Sequence, residues 1–182
     1  MALAIEKATA VERAMELPRR VHEIYAPFVR TTPDHPALVE GDRTWSYREF
    51  SDAVDAVAQE LIFLGIRPGD RVMIVSENSV ALSVLLFASS KLDAWGISVN
   101  PRLSPRELDQ IHDHSGARRT FFVTATSKDA TAHAVRRRAS VRSLGPFIDV
   151  AVGALNQTAE PEPVHDDGAR QVAALILSLI HI

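Results

Sequence analysis

An open, mostly parallel α/β sheet with flanking helices is the fold class this sequence predicts, and three observations predict it. Arg71-Val-Met-Ile-Val-Ser76 is a short apolar run rich in β-branched residues, the pattern of a buried strand. Ser79 to Leu92 is apolar on nearly every side, which marks a core helix. Ala94-Trp-Gly-Ile-Ser-Val-Asn100 then gives a second buried strand. Strand, helix and strand joined by short links form a βαβ unit, whose strands run parallel and whose crossover is right-handed. The remaining elements cover this unit or extend its sheet.

In chain order, Met1 to Pro18 reads as a weakly docked helix. Glu6 and Lys7 interrupt what would be the apolar core of a signal peptide. Val21, Ile24, Tyr25 and Phe28 recur at helical spacing and predict one short helix over 20–28. Thr31 to Pro36 is a loop, and Glu40-Gly41-Asp42 turns a hairpin between Ala37–Val39 and Arg43–Trp45, with Gly41 where positive φ is required. Ser46 and Glu49 form a capping box ahead of a stripe at Tyr47, Phe50, Val54, Val57, Leu61 and Leu64, expected to lie on the sheet. Gly65 and Pro68 end that helix. A second box, Ser104 with Glu107 and Pro105 between, opens a helix that buries Leu108 and Ile111 and stops at Gly116. Arg119–Thr124 is a strand, 126–139 a helix and Phe147–Val152 a strand. Asn156 to Gly168 is an acidic, proline-punctuated loop, and Val172–Leu177 begins one more strand, apolar enough to be buried on both faces where further elements flank it.

Composition narrows the function classes. The 182 residues carry a net charge of −3, so no global basic field recruits nucleic acid or anionic lipid. With no cysteine there is neither disulfide nor thiolate chemistry, which fits a cytoplasmic location. The most apolar segment, Val80 to Ala88, falls well short of the ~20 residues of a membrane span.

Open α/β sheets bind ligands beyond the carboxyl ends of their strands. Ser76 is followed by Glu77 and Asn78 without a glycine, which argues against a dinucleotide fingerprint. The sequence contains no Gly-Lys-Ser/Thr phosphate loop and no Gly-x-Ser-x-Gly elbow. His112 and His114, two apart on a helix, point in different directions and read as surface histidines rather than metal ligands. Arg136, Arg137 and Arg138 read as a solvated helix end, where cations suit the macrodipole. Trp45 and Trp95 read as packing anchors. Asn78 is a cap or turn residue at a joint where a ligand contact could sit. No catalytic, cofactor-binding or metal-binding residue is assigned.

Six pieces in register nevertheless carry a resemblance. Pro33-Asp-His-Pro-Ala-Leu38, Thr44-Trp-Ser-Tyr-Arg-Glu-Phe50 and Gly65-Ile-Arg-Pro-Gly-Asp-Arg-Val72 resemble the opening of the adenylate-forming, AMP-binding superfamily. Lys91-Leu-Asp-Ala-Trp-Gly-Ile-Ser-Val-Asn-Pro101 is similar to its second core motif. Arg102-Leu-Ser-Pro-Arg-Glu-Leu108 and Asp113-His-Ser-Gly-Ala117 match the next stretch as acyl-CoA ligases write it. Asp93 stands where the family has glycine, and Trp95-Gly96 exchanges the small residue's place.

The resemblance runs from Val21 to Leu177. It implies a 1–20 extension, a 21–177 N-terminal portion of an incomplete AMP-binding large domain, and a 178–182 tail foreign to the family. It also implies the parent reaction, in which ATP and Mg²⁺ activate a small-molecule carboxylate to an acyl-adenylate that coenzyme A captures. The family's phosphate loop, which follows the strand resembling Val172–Leu177, has no counterpart in Ser178-Leu-Ile-His-Ile182. The expectation is an acid–CoA ligase fragment, inactive and poorly stable alone, that binds none of these cofactors productively. The rival expectations are a non-catalytic α/β binding or partner domain and an unrelated flavodoxin-like binding module.

Overall fold

The structure is a computed structural model that describes residues 18–176. The expected N-terminal helix before Pro18, Leu177 and the 178–182 tail lie outside the described residues. A 3₁₀ turn at Val21–Glu23 precedes α1 (Ala26–Thr31), the hairpin β1 (Pro36–Glu40) and β2 (Arg43–Ser46), and α2 (Tyr47–Phe63). Then follow β3 (Arg71–Val75), α3 (Val80–Lys91), β4 (Trp95–Val99), α4 (Pro105–Ser115), β5 (Arg119–Val123) and α5 (Lys128–Arg136). The described chain closes with β6 (Ser140–Leu144), β7 (Phe147–Val152) and β8 (Ala174–Leu175). The main sheet has the order β6-β7-β5-β3-β4-β8. β3 pairs in parallel with β4 and β5, and β8 extends β4 in parallel. β7 is antiparallel to both β5 and β6.

Strand alternation splits the core into two layers. Val72, Ile74, Phe121 and Val123 join Phe50, Val54, Val57, Leu61 and Leu85 on one face, under α2 and α3. Met73, Val75, Ile97 and Phe122 join Leu108, Ile111, Ala130 and Ala134 on the other, under α4 and α5. The α2 stripe is buried as its spacing predicts, with Val54, Val57 and Leu61 all fully enclosed. Both capping boxes form. Ser46 Oγ accepts from the Glu49 amide at 3.2 Å while the Glu49 carboxylate accepts from the Ser46 amide at 2.8 Å, and Ser104 and Glu107 repeat the exchange.

Both departures from the family pattern have a structural account. Asp93 sits at φ +56°, the left-handed conformation that glycine adopts without steric cost, and its carboxylate pairs with Arg20. Gly96 is where α3 meets β4: a Cβ there would lie 2.5 Å from Leu86 Cδ2.

Four expectations need correction. The single helix over 20–28 is two pieces, because Pro27 has no amide to continue the first turn and instead starts α1. Of its expected face only Tyr25 is buried, while Ile24 and Phe28 are exposed. The helix over 126–139 ends at Arg136, and Ser140–Leu144 forms β6, an edge strand too polar and exposed to show as a strand in the sequence. The run at 172–177 is a two-residue edge strand, β8, with Ala174 exposed and Ile176 93% exposed. Among the described residues it has one strand neighbour, β4, and its other edge is uncovered. The arginine run is not simply solvated, since Arg136 and Arg137 both pair with Asp109 of α4.

The irregular segment between β7 and β8 is strapped to the amino end of the sheet. Arg119 donates to the carbonyls of Leu64 and Gly153, Arg118 to those of Gly65 and Asn156, and Arg67 to that of Ala159. Arg71 pairs with Glu162 at 2.7 Å. Beneath them Asp70, 1% exposed, accepts from the Arg67 amide and guanidinium and lies 3.6 Å from Arg118 Nε. Gly69 permits the closest approach: a Cβ there would sit 2.1 Å from the Glu162 carbonyl oxygen.

Candidate functional site

The carboxyl ends of β3, β4 and β5 face the joints at 76–79, 100–104 and 124–127. This is the edge where an open α/β sheet receives ligands. After β3, buried Ser76 turns its hydroxyl to the Glu77 carbonyl and lies 3.2 Å from Ser79 Oγ. Ser79, not Asn78, caps α3, accepting from the Leu82 amide. The Val80 amide donates to the Glu40 carboxylate at 2.9 Å, so the tip of the hairpin closes the start of α3. An anion at a helix N-terminus is favoured by the macrodipole and by the free amides there. Asn78 itself is exposed, as is Asn100, whose side chain accepts from the Arg102 amide in a local turn. Arg102 pairs with Glu77 at 3.0 Å and thereby links the joints after β3 and β4.

One buried side chain fixes the joint after β4. His133 of α5, 5% exposed, brings Nε2 to 3.1 Å from the Pro101 carbonyl and 3.0 Å from that of Leu103. Carbonyls only accept, so Nε2 carries the proton and shares it between them. Sequence reasoning missed both His133 and Glu40. For His133 the signal was its place on the apolar face with Ala130 and Ala134, three and one residues away. Glu40 carried no local signal, because its partner lies forty residues on.

The residues singled out in the sequence do not converge. His112 is half-buried at the amino-end side of α4 with Nδ1 3.2 Å from Asp113, while His114 is exposed. Among the described residues no group of three acidic or imidazole side chains could hold a metal ion. Trp45 is buried, stacked on Phe147 with Arg43 3.7 Å over its ring. Trp95 is half-buried in β4. No described helix is long and apolar enough to cross a membrane.

A doubly covered, mainly parallel sheet with its polar joints gathered at one edge defines the class: an α/β domain of the kind that binds ligands at that edge. The family model of the AMP-binding enzyme matches residues 26–177, and the chain belongs to that family of adenylate-forming enzymes. It is 39% identical over 89 residues to a 3-[(3aS,4S,7aS)-7a-methyl-1,5-dioxo-octahydro-1H-inden-4-yl]propanoyl:CoA ligase of Mycobacterium tuberculosis, which covers 49% of this chain and 18% of the ligase. It is 31% identical over 109 residues to the phosphinothricin tripeptide synthetase PhsC of Streptomyces viridochromogenes, covering 60% of this chain and 10% of the synthetase. Among solved structures, a fatty acyl CoA synthetase of Mycobacterium tuberculosis superposes with a TM-score of 0.59 at 25% identity, over 67% of this chain and 24% of that one. The chain thus spans less than a fifth of the length of the two curated relatives named.

The family uses ATP, and the described residues do not fit its phosphates. A phosphate cradle needs free backbone donors or unpaired cations. Here the Val80 and Leu82 amides of α3 are taken by Glu40 and Ser79, and the box of Ser104 and Glu107 closes α4. Arg102 is already paired with Glu77, whose charge opposes a phosphate at that point.

Proposed function

We propose that the chain is the N-terminal portion of an ATP-dependent acid–CoA ligase, which activates a small carboxylate to its adenylate and passes it to coenzyme A. In this reading 1–20 is an extension, 21–177 the family portion and 178–182 a tail of other origin. The whole enzyme works in the cytoplasm. The observation that supports a ligase over a peptide-synthetase adenylation domain is the 39% identity to a CoA ligase, against 31% to the peptide synthetase. The pieces Arg102–Leu108 and Asp113–Ala117, written as acyl-CoA ligases write them, point the same way.

The 182 residues do not run the reaction by themselves. Adenylation develops charge on phosphate oxygens and depends on fixed donors and a metal ion to receive it. The joints after β3 and β4 spend the Val80, Leu82 and Glu107 amides on Glu40, Ser79 and Ser104. The purified chain, given ATP, Mg²⁺ and a panel of carboxylic acids, is expected to release no acid-dependent pyrophosphate. A chimera in which residues 26–176 replace the matching segment of an acyl-CoA ligase is expected to form CoA thioester. A chimera that folds and adenylates but never yields thioester would overturn the ligase reading.

A further inference from the structure

At the amino end of the sheet, opposite the family's ligand edge, a cavity of about 200 Å³ opens between α4, α5 and the segment after β7. It is lined by His112, Thr120, Phe122, Arg137, Leu155 and Asn156, among others. At about 30 Å³ per water, that is room for roughly six waters or one molecule of a few heavy atoms. Phe122 is fully buried, and Leu155 adds a second apolar wall.

The polar groups here are unevenly satisfied. Asn156 is fully used: its Oδ1 accepts from the Thr158 amide and hydroxyl, and its Nδ2 donates to the Ala117 carbonyl. Thr120 is not. It is 4% exposed, yet its hydroxyl has no partner among the described residues. Buried hydroxyls are normally bonded, because leaving one unpaired forfeits its hydration without return. Arg137 gives one N–H to Asp109, at 3.0 Å, a carboxylate that Arg136 already engages through both of its oxygens. The other guanidinium N–H groups of Arg137 have no acceptor among the described residues. His112 lines the same cavity with its Nδ1 turned to Asp113.

The cavity therefore presents hydrogen-bond donors short of acceptors beside apolar walls. The spare Arg137 N–H groups call for an anion, and Arg suits a planar, two-oxygen acceptor. Walls of Phe122 and Leu155 disfavour a strongly hydrated inorganic ion but suit a short hydrocarbon group. We infer that this cavity binds a small organic carboxylate, with Arg137 and Thr120 holding the carboxylate and Phe122 and Leu155 enclosing its tail. The site is separate from the carboxyl edge and does not depend on the ligase reading.

The test is thermal denaturation of the full 182-residue chain with sodium propionate, propionamide or inorganic phosphate at matched ionic strength. Propionate is expected to raise Tm saturably, with propionamide and phosphate giving little. Arg137→Gln leaves Asp109 paired with Arg136 and is expected to weaken the propionate effect at least about tenfold in apparent Kd. Thr120→Val, which swaps the unpartnered hydroxyl for a methyl group, is expected to raise the ligand-free Tm and to weaken propionate binding. No response to propionate would overturn the proposal. So would an equal response to propionamide, a larger one to phosphate, or an unchanged propionate response in both variants.

Discussion

The two ends of the sheet are held in opposite ways. At the amino end, Arg67, Arg71, Arg118 and Arg119 reach across 34 to 92 residues of sequence to bind the segment that leads to β8. At the carboxyl end each joint is closed mainly by its own neighbours: Ser79 on α3, Asn100 on its own turn, Ser104 with Glu107 on α4. Longer ties there include Glu40, His133, the Glu77–Arg102 pair and Thr124, whose amide and hydroxyl both donate to the Asp149 carbonyl. The difference teaches where this fold stores its long-range order. The amino end sets how the strands are brought together, while the carboxyl end is a row of locally finished turns that can vary without disturbing the frame. Functional residues concentrate on such loops for that reason.

Asp70→Ala is the strongest way to break this contrast. It removes the one carboxylate beneath the arginines and strands Arg118, whose side chain is 11% exposed. A loss of about 3–5 kcal/mol in denaturant unfolding is expected. A loss below about 1 kcal/mol, the scale of a surface pair, would mean the amino end is no better tied than the edge opposite.

Ser79→Ala tests the carboxyl end at its best-built joint. Loss of a single cap is expected to cost about 1 kcal/mol by the same measurement. An effect as large as that of Asp70→Ala would show that the two ends are equally cooperative.

Acid sharpens the comparison through His22, which lies beside Ser90 at the amino end. Burial lowers its proton affinity from the ordinary value of 6.5, outweighing the nearby Glu23. Below that value the unfolded chain takes up a proton that the folded chain resists, so this contribution is complete above pH 6.5 and declines as pH falls through it. His22→Gln is expected to flatten the Tm–pH profile between pH 7 and pH 5, roughly the range over which histidine changes charge. An identical slope in the variant would remove His22 from the account.

The smallest effect is expected at Asn78, exposed at the joint after β3. Asn78→Ala is expected to stay within about 0.5 kcal/mol of the parent in stability. A larger change would mark Asn78 as part of the frame rather than a free position on the ligand edge.

The sequence by itself determined every element whose signal is local. The boxes of Ser46 with Glu49 and Ser104 with Glu107, the stripe from Phe50 to Leu64, the turn at Gly41 and the β3–α3–β4 unit all follow from contacts within a few residues. Such contacts leave a period or a cap in the text. The family was legible too, because its motifs are contiguous. What only the tertiary structure decided depends on distant partners. β6 is a strand because β7 pairs with it, not because Ser140-Val-Arg-Ser-Leu144 reads as one. Asp93 occupies a glycine's conformation, and the acidic segment before β8 is ordered by arginines far back in the chain. Glu40 closes a helix forty residues away, His133 pins a joint thirty residues before it, and Thr120 and Arg137 meet at one cavity from two elements. None of these pairings has a fixed spacing. Each exists only once the sheet has brought its partners together.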